Sequence, residues 1–131
     1  LKLQKLVYYT QAWHLAIAKE PIFEEDFEAW VHGPVIRPLY YQYSKYSWNP
    51  IREDISETKD QILSEFDSLT KDIIEQVVES YFGETAYELE RLTHNDSPWI
   101  EARGGIPQDQ ISTEVISKES MKSFYSRLLE N

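Results

Sequence analysis

Residues 29–35, AWVHGPV, place a large indole, a histidine and a Gly-Pro pair side by side. Glycine reaches backbone conformations that are closed to other residues, and proline fixes φ and has no amide hydrogen to donate. Gly33-Pro34 therefore indicates a break between regular elements. The stretch can be a catalytic corner, a binding edge or a structural turn, and its surroundings must distinguish these.

The segment before this break predicts a helix over residues 1–19. Apolar residues recur on one face at i, i+3 and i+4 spacing: Leu3, Leu6, Val7, Trp13 and Ile17. A second side carries Leu1, Tyr8 and Leu15. A helix that is apolar on two sides is usually central in a bundle, so we expect the other helices to surround this one.

The segment after the break predicts more helices and one long connection. Pro38 suits the first turn of a helix over 36–46. Residues 47–67 contain Asn49-Pro50 and dense charge, which favours an irregular connection. Residues 69–82 form the clearest amphipathic helix, with apolar side chains at every fourth position and Gly83 as its stop.

Capping signals define the helices of the second half. Thr85 and Glu88 form a T-x-x-E capping box, and the helix AYELERLTH behind it is expected to bury Leu89 and Leu92. The expected N-caps are Thr85, Ser97 and Ser117, and the helices that they open cover 86–94, a short stretch ending at Gly104, and 118–129.

These elements predict a mainly α fold: a compact single-domain helical bundle of five to seven helices over residues 1–131. Residues 113–116, TEVI, can also form a short strand. Its expected partner is Ile22-Phe23, which would give a small two-stranded β element near 22–23 and 114–116. No internal repeat marks a second domain.

Composition excludes several classes of function. The net charge of −10 disfavours nucleic acids and anionic membranes as partners, because both need clustered lysine and arginine. No apolar run is long enough to span a membrane. The absence of cysteine excludes disulfides, thiol catalysis and cysteine-ligated zinc, and fits the cytoplasm. An acidic surface instead steers association with a basic protein.

The residues give little support for catalysis. The three histidines, His14, His32 and His94, are too scattered in sequence to form a recognisable zinc-ligand pair. No nucleophile elbow is present, and the chain has too few glycines for a phosphate-binding loop. We therefore predict no enzymatic activity, no cofactor and no metal. A metal-dependent enzyme using these histidines is the weaker alternative.

Aromatic residues provide the positive signal. The chain has four tryptophans and nine tyrosines, and both types are favoured at protein interfaces because they bury much area at low entropic cost. The expected partner-binding residues are Tyr40, Tyr41, Tyr43, Tyr46 and Trp48.

Three strings resemble the signature blocks of the Panacea antitoxin domain, the family of phage-associated GepA-like proteins and SocA-type antitoxins. They are LKLQKLVYYTQAWHLA, FEEDFEAWVHGPVIRPLYYQY and ELERLTHNDSPWIEAR, in the order of the family's blocks. The closing VISKESMKSFY also resembles the family's last segment. Residues 45–68 match no block.

The resemblance implies a helical antitoxin of bacterial or prophage origin that neutralises a cognate toxin by binding it. Such toxins are usually encoded by an adjacent gene. The family commonly has a further helix before the first block, so we expect residues upstream of Leu1. An adaptor that delivers its partner to a protease would have the same fold, and self-association is also open.

Within this frame, AWVHGPV is interpreted as a structural turn. Trp30 is expected to fill the core, Gly33 to permit the turn, Pro34 to direct the chain outward and His32 to tether it. The Thr93-His94 pair is expected to form a helix-end latch, and Trp99 is expected to pack near Trp30.

Overall fold

The computed structural model describes residues 2–43 and 66–130, with the backbone alone for 41–43. In chain order the elements are α1 (Lys2–Ala18), β1 (Phe27–Trp30), β2 (Gly33–Val35), α2 (Arg37–Tyr43), α3 (Ser68–Tyr81), α4 (Ala86–His94), α5 (Ser97–Arg103), β3 (Val115–Ile116) and α6 (Lys118–Glu130). Six helices and one small sheet in the described ranges confirm the mainly α fold. The predicted connection over 47–67 lies outside these ranges except for its last two residues.

Helix α1 is central, as its apolar sides predict, because α3, α4, α6 and β2 all pack against it. Its two predicted apolar sides differ in burial. Tyr8 and Leu15 of the second side lie in the core with Ala12, whereas Leu3 and Ile17 of the first side are 38% and 41% exposed. The apolar spacing therefore identified the helix and its second side correctly but also assigned exposed residues to the core.

Two buried glutamines explain why the second side of α1, with Tyr8 and Leu15, faces inward. The Gln4 side chain donates to the Ile36 carbonyl at 3.2 Å and accepts from the Ile36 amide at 3.0 Å. Gln11 does the same with the segment before β1, donating to the Phe23 carbonyl at 2.9 Å and accepting from the Ile22 amide at 2.8 Å. Each amide thus replaces the backbone partner that a neighbouring strand would supply, which makes its burial favourable.

The AWVHGPV stretch forms an antiparallel β-hairpin. β1 pairs with β2 in the register Glu28↔Val35 and Trp30↔Gly33, which leaves Val31 and His32 as the turn. The third strand, β3, pairs with the other edge of β1, so the sheet order is β2-β1-β3.

The predicted two-stranded element is therefore wrong in size and in partner. The strand near 114–116 exists, but it pairs with residues 27–28 instead of 22–23. Residues 22–23 are unsuited to that pairing because Gln11 already satisfies one amide and one carbonyl there. The hairpin itself was not predicted.

The capping residues define the helix starts. Asp67 caps α3, Thr85 caps α4 by accepting from the Glu88 amide, and the Ser117 hydroxyl accepts from an amide in the first turn of α6. The predicted caps Thr85 and Ser117 are confirmed. α5 instead begins one residue early, with Asp96 at its N-cap, because the Asp96 carbonyl accepts the first helical hydrogen bond.

The core lies where α1 meets the sheet and α3 to α6. Its buried apolar residues include Tyr8, Tyr9, Ala12, Leu15, Phe27, Ala29, Ile73, Val77, Leu89, Trp99, Ile116, Met121 and Tyr125. Leu89 is fully buried as predicted, whereas Leu92 is 44% exposed, contrary to prediction. Within residues 2–43 and 66–130, no helix has the length and apolar character needed to cross a membrane.

Candidate functional site

Side chains from α4 and α5 hold the hairpin by three successive backbone carbonyls, those of residues 29–31. Arg103 Nη1 donates to the first at 2.9 Å, Trp99 Nε1 to the second at 2.9 Å and His94 Nε2 to the third at 2.6 Å. A carbonyl only accepts, so the His94 Nε2 atom carries a hydrogen. We call Arg103, Trp99 and His94 the hairpin clamp.

Trp99 lies in the core, whereas Trp30, which was predicted to fill the core, does not. Trp99 is 1% exposed, with the His94 ring stacked on it at 4.4 Å and the Arg103 guanidinium 4.7 Å from its ring centre. Trp30 is half-buried. The prediction for Trp30 is wrong because side chains alternate along a strand, and Ala29 takes the inward position next to it.

Gly33 lies directly over Thr93 of α4. Its φ of +119° is a conformation that other residues rarely adopt, and a Cβ atom there would come within 2.9 Å of the Thr93 hydroxyl. Thr93 is fully buried and donates to the Glu90 carbonyl at 2.9 Å. The structure therefore places both residues of the predicted latch against the hairpin, with Thr93 beneath Gly33 and His94 on the Val31 carbonyl.

A buried lysine completes the support of the turn, and sequence reasoning missed it. Lys5 is 2% exposed, and its Cε atom would lie 3.5 Å from a Cβ atom at position 33. Burial lowers the pKa of Lys5, and the nearby Glu90 charge opposes this. The aliphatic stem of Lys5 thus packs beneath the turn, which its place in a charged-looking helix start did not reveal.

The three histidines do not converge. His32, exposed at the turn, lies 2.8 Å from a carboxylate oxygen of Glu90, and His94 Nε2 lies 3.8 Å from the same oxygen. His14 lies between α1 and α3, with Nε2 2.9 Å from the Thr70 hydroxyl. In the part of the chain that the structure describes, no three histidine or acidic side chains come close enough to hold a metal ion.

A carboxylate with two phenols forms the main buried polar cluster. Asp96 Oδ2 accepts from the hydroxyls of Tyr8, at 3.4 Å, and Tyr125. Burial raises the pKa of Asp96 to about 6, against the opposing effect of these two hydrogen bonds. Tyr9 packs nearby, and its buried hydroxyl has no hydrogen-bond partner among the described residues.

This cluster is enclosed and does not resemble an active site. Asp96 is 8% exposed, and Tyr8 and Tyr125 are 0% and 2% exposed, so a substrate cannot reach their polar atoms without a rearrangement. Its chemistry is that of a structural network that links α1, α5 and α6. No sequence signal pointed to it, because Asp96 stands just before the predicted N-cap Ser97 and only the structure shows that its side chain makes no cap hydrogen bond.

The outer side of the hairpin presents an exposed aromatic surface, the β1–α2 patch, formed by Glu28, Trp30, Arg37 and Tyr40. Arg37 donates to both carboxylate oxygens of Glu28, at 2.7 and 3.1 Å, and Trp30 Nε1 donates to Glu28 at 3.0 Å. The Arg37 hydrogen bonds are the main reason why the pKa of Glu28 is lowered. Tyr40 packs on Trp30 with ring centres 5.1 Å apart.

Only part of the predicted binding set can be placed. Tyr40 is 39% exposed. For Tyr41 and Tyr43 the structure describes the backbone at the end of α2, and Tyr46 and Trp48 lie outside the described residues.

A family model described as "Antitoxin SocA-like, Panacea domain" matches residues 3–100. The chain belongs to this family. No curated protein and no solved structure matches the chain.

The Panacea match includes α1, the hairpin, α4 and two of the three clamp residues. Arg103 and Tyr125 lie beyond the matched residues, and so does the closing VISKESMKSFY string. The Panacea segment of this chain therefore relies on residues outside it for one bond of the clamp and for one phenol on Asp96.

Proposed function

We propose that this Panacea domain is an antitoxin that neutralises a cognate toxin by binding it directly in the cytoplasm. The family match over residues 3–100 carries the proposal. The toxin is expected to be the product of an adjacent gene. Direct binding needs no chemistry from the antitoxin, only coverage of the toxin's functional surface, with about 1,600 Å² typical of a specific complex.

The roles of the motif residues support a binding function. The hairpin clamp holds the backbone of the hairpin, and Lys5 and Asp96 are nearly inaccessible. Asp96 and Tyr8, whose pKa values burial raises, share a hydrogen bond inside the fold. What the described part of the chain leaves at the surface is acidic, apolar and aromatic, which suits a protein partner.

The proposed contact includes the tyrosines of α2 and the segment after it. Tyr40 shows why such a contact is favourable, since its ring packs on Trp30, and Trp30 is itself held by a hydrogen bond to Glu28. Side chains that are ordered before binding lose less entropy in the complex. The proposed binding residues are Tyr40, Tyr41, Tyr43, Tyr46 and Trp48.

Co-expression with the adjacent gene tests the proposal. The neighbour should arrest growth when expressed alone, and growth should recover when the antitoxin is co-expressed. Tyr40→Ala should weaken binding of the purified toxin by about tenfold. Tyr87→Ala is the matched control, because Tyr87 is 66% exposed on α4 and belongs to no proposed surface.

Two outcomes would contradict the proposal. A neighbour that is harmless alone, or one that stays lethal beside the antitoxin, excludes neutralisation. Toxin abundance distinguishes occlusion from delivery to a protease. Occlusion keeps the abundance of the toxin constant or raises it, whereas a protease-dependent fall in abundance would assign the chain to adaptor function.

A further inference from the structure

An apolar groove runs along α3 where this helix meets α1 and the end of α6. It has a volume of about 430 Å³ and is lined by Trp13, Ile17, Leu69, Asp72, Ile73, Gln76, Val77, Ser80, Tyr81 and Leu129. Ile73 and Val77 form its floor and are nearly inaccessible, whereas Ile17, Leu69 and Leu129 stand exposed at 41%, 47% and 51%. Exposed apolar side chains that meet around one groove mark a binding site more often than scattered ones do.

The groove has the length and rigidity of a helix-binding site. From Leu69 to Tyr81 it follows α3 for about 18 Å, which is the length of a helix of three to four turns. Trp13 Nε1 donates to the Tyr81 hydroxyl at 3.0 Å, and the Thr70 hydroxyl lies 2.9 Å from His14 Nε2. These contacts fix α3 on α1, so the groove does not have to be assembled when a partner binds.

One flank of the groove is acidic. Asp72, the only charged side chain among the described lining residues, begins a row with Glu75 and Glu79 at i, i+3 and i+7, and we call this row the acidic ridge. All three are exposed, and in the described ranges no lysine, arginine or histidine nitrogen lies within 4.0 Å of their carboxylates. The ridge is therefore available to a cationic partner.

We propose that this groove takes an amphipathic helix of the toxin, with an apolar stripe on the floor and lysine or arginine along the acidic ridge. This rests on the proposed function and names the chemistry of its partner. A second copy of the chain is a poor occupant, because it would bring a further net charge of −10 to an acidic face. In helix-in-groove binding the bound helix supplies apolar anchors at i, i+3, i+4 and i+7, and here these would pack along the row formed by Leu69, Ile73 and Val77.

The groove is separate from the β1–α2 patch. Gln4, which holds the chain after the hairpin, and Ile17, which lines the groove, are about 20 Å apart along α1. Variants at the two surfaces can therefore be scored independently.

The first experiment compares two double variants in binding to the purified product of the adjacent gene. Ile17→Ser with Leu129→Ser removes exposed apolar contacts of the groove. Ile100→Ser with Leu128→Ser is the control, because these side chains have similar exposure, 47% and 44%, and do not line the groove. The groove variant should lose at least about tenfold in affinity, whereas the control should bind like the wild type.

The second experiment tests the charge of the partner. Reversing the acidic ridge to lysine at its three positions should weaken binding about tenfold at low salt, and the difference should shrink as salt rises. Lysine at Glu25, Asp109 and Glu114 gives the same change in net charge at exposed positions that do not line the groove and should have a much smaller effect.

The possible results separate the two proposals. Wild-type protein that does not bind the toxin overturns both. Groove and ridge variants that bind like their controls, while Tyr40→Ala weakens binding, overturn the groove assignment and leave the proposed function standing. A dimer of the free protein that only the groove variant dissociates would assign the groove to a second copy of the chain.

Nuclear Overhauser contacts of the Leu69 and Leu129 methyls with another segment of the free chain would assign the groove to that segment. Either result overturns the toxin-helix proposal.

Discussion

Replacing Gly33 with alanine should destabilise the protein more than any other glycine-to-alanine change in the described residues. Two separate effects add at this position. A side chain at φ +119° costs about 1–3 kcal/mol of backbone strain. The new Cβ would also lie 2.9 Å from the Thr93 hydroxyl, and relieving such a contact in a packed interior costs about 1–3 kcal/mol. The free energy of unfolding should therefore fall by about 2–6 kcal/mol.

Thermal unfolding monitored by circular dichroism measures this loss. For a domain of this size each kcal/mol lowers Tm by about 4 °C, so Gly33→Ala should melt about 8–24 °C below the wild type. Two glycines separate the causes. Gly105 has φ +92° and open space around its Cβ position, so Gly105→Ala reports strain alone. Gly83 has open space and no left-handed φ, so Gly83→Ala should be neutral or stabilise by about 0.4–1 kcal/mol.

A double-mutant cycle identifies the steric part. Thr93→Ala removes the hydroxyl that the new methyl group would meet, at the expense of the hydrogen bond to the Glu90 carbonyl. The Gly33→Ala and Thr93→Ala changes should therefore couple favourably by about 1–2 kcal/mol. A Gly33→Ala protein that melts like Gly83→Ala refutes the turn assignment, and strictly additive effects refute the contact with Thr93.

Three further predictions concern buried polar groups. Asp96→Asn should remove a pH dependence of stability, because burial raises the pKa of Asp96 from its ordinary value to about 6. In urea unfolding at each pH, the wild type should lose about 2–3 kcal/mol of unfolding free energy relative to the variant as pH rises from 4 through 6. Parallel curves of stability against pH would contradict the burial of this carboxyl. Tyr9→Phe should leave the stability unchanged or increase it, because the Tyr9 hydroxyl is buried with no hydrogen-bond partner in the described residues. A fall in the free energy of unfolding above about 1 kcal/mol would reveal a partner for this hydroxyl. Arg103→Lys should lower the free energy of unfolding by about 1.5–3 kcal/mol, because an ammonium cannot reproduce the planar guanidinium that reaches the carbonyls of residues 29, 107 and 110. A variant of wild-type stability would show that the guanidinium geometry is not needed.

The helices were predictable because their signals are local. Apolar spacing and a capping residue lie within one or two turns of each other, so Thr85 and Ser117 could be assigned as caps without knowledge of the rest of the chain. The mainly α fold class follows from the same signals. The family resemblance was likewise readable from short motifs, and the match over residues 3–100 confirms it.

The burial of polar residues on α1 and the pairing of the sheet were not predictable in this way. Gln4 and Gln11 count as polar in any local pattern, yet both are buried because their amides bond to backbone of segments far along the chain. The same bonds engage residues 22–23, so β3 pairs with β1 elsewhere. A polar side chain is favourable in the core only when its partner is known, and the partner is a property of the tertiary structure.

The candidate sites show the same difference between features set by local sequence and features set by distant contacts. The sequence by itself identified Gly33 as the turn glycine, the Thr93-His94 pair as a helix-end latch and Trp99 as a neighbour of Trp30. Only the tertiary structure decided which tryptophan fills the core, that Lys5 lies beneath the turn, and that α1, α3 and α6 leave an apolar groove beside an acidic ridge. Turns and caps depend on neighbours in sequence, whereas burial and grooves depend on which distant surfaces meet.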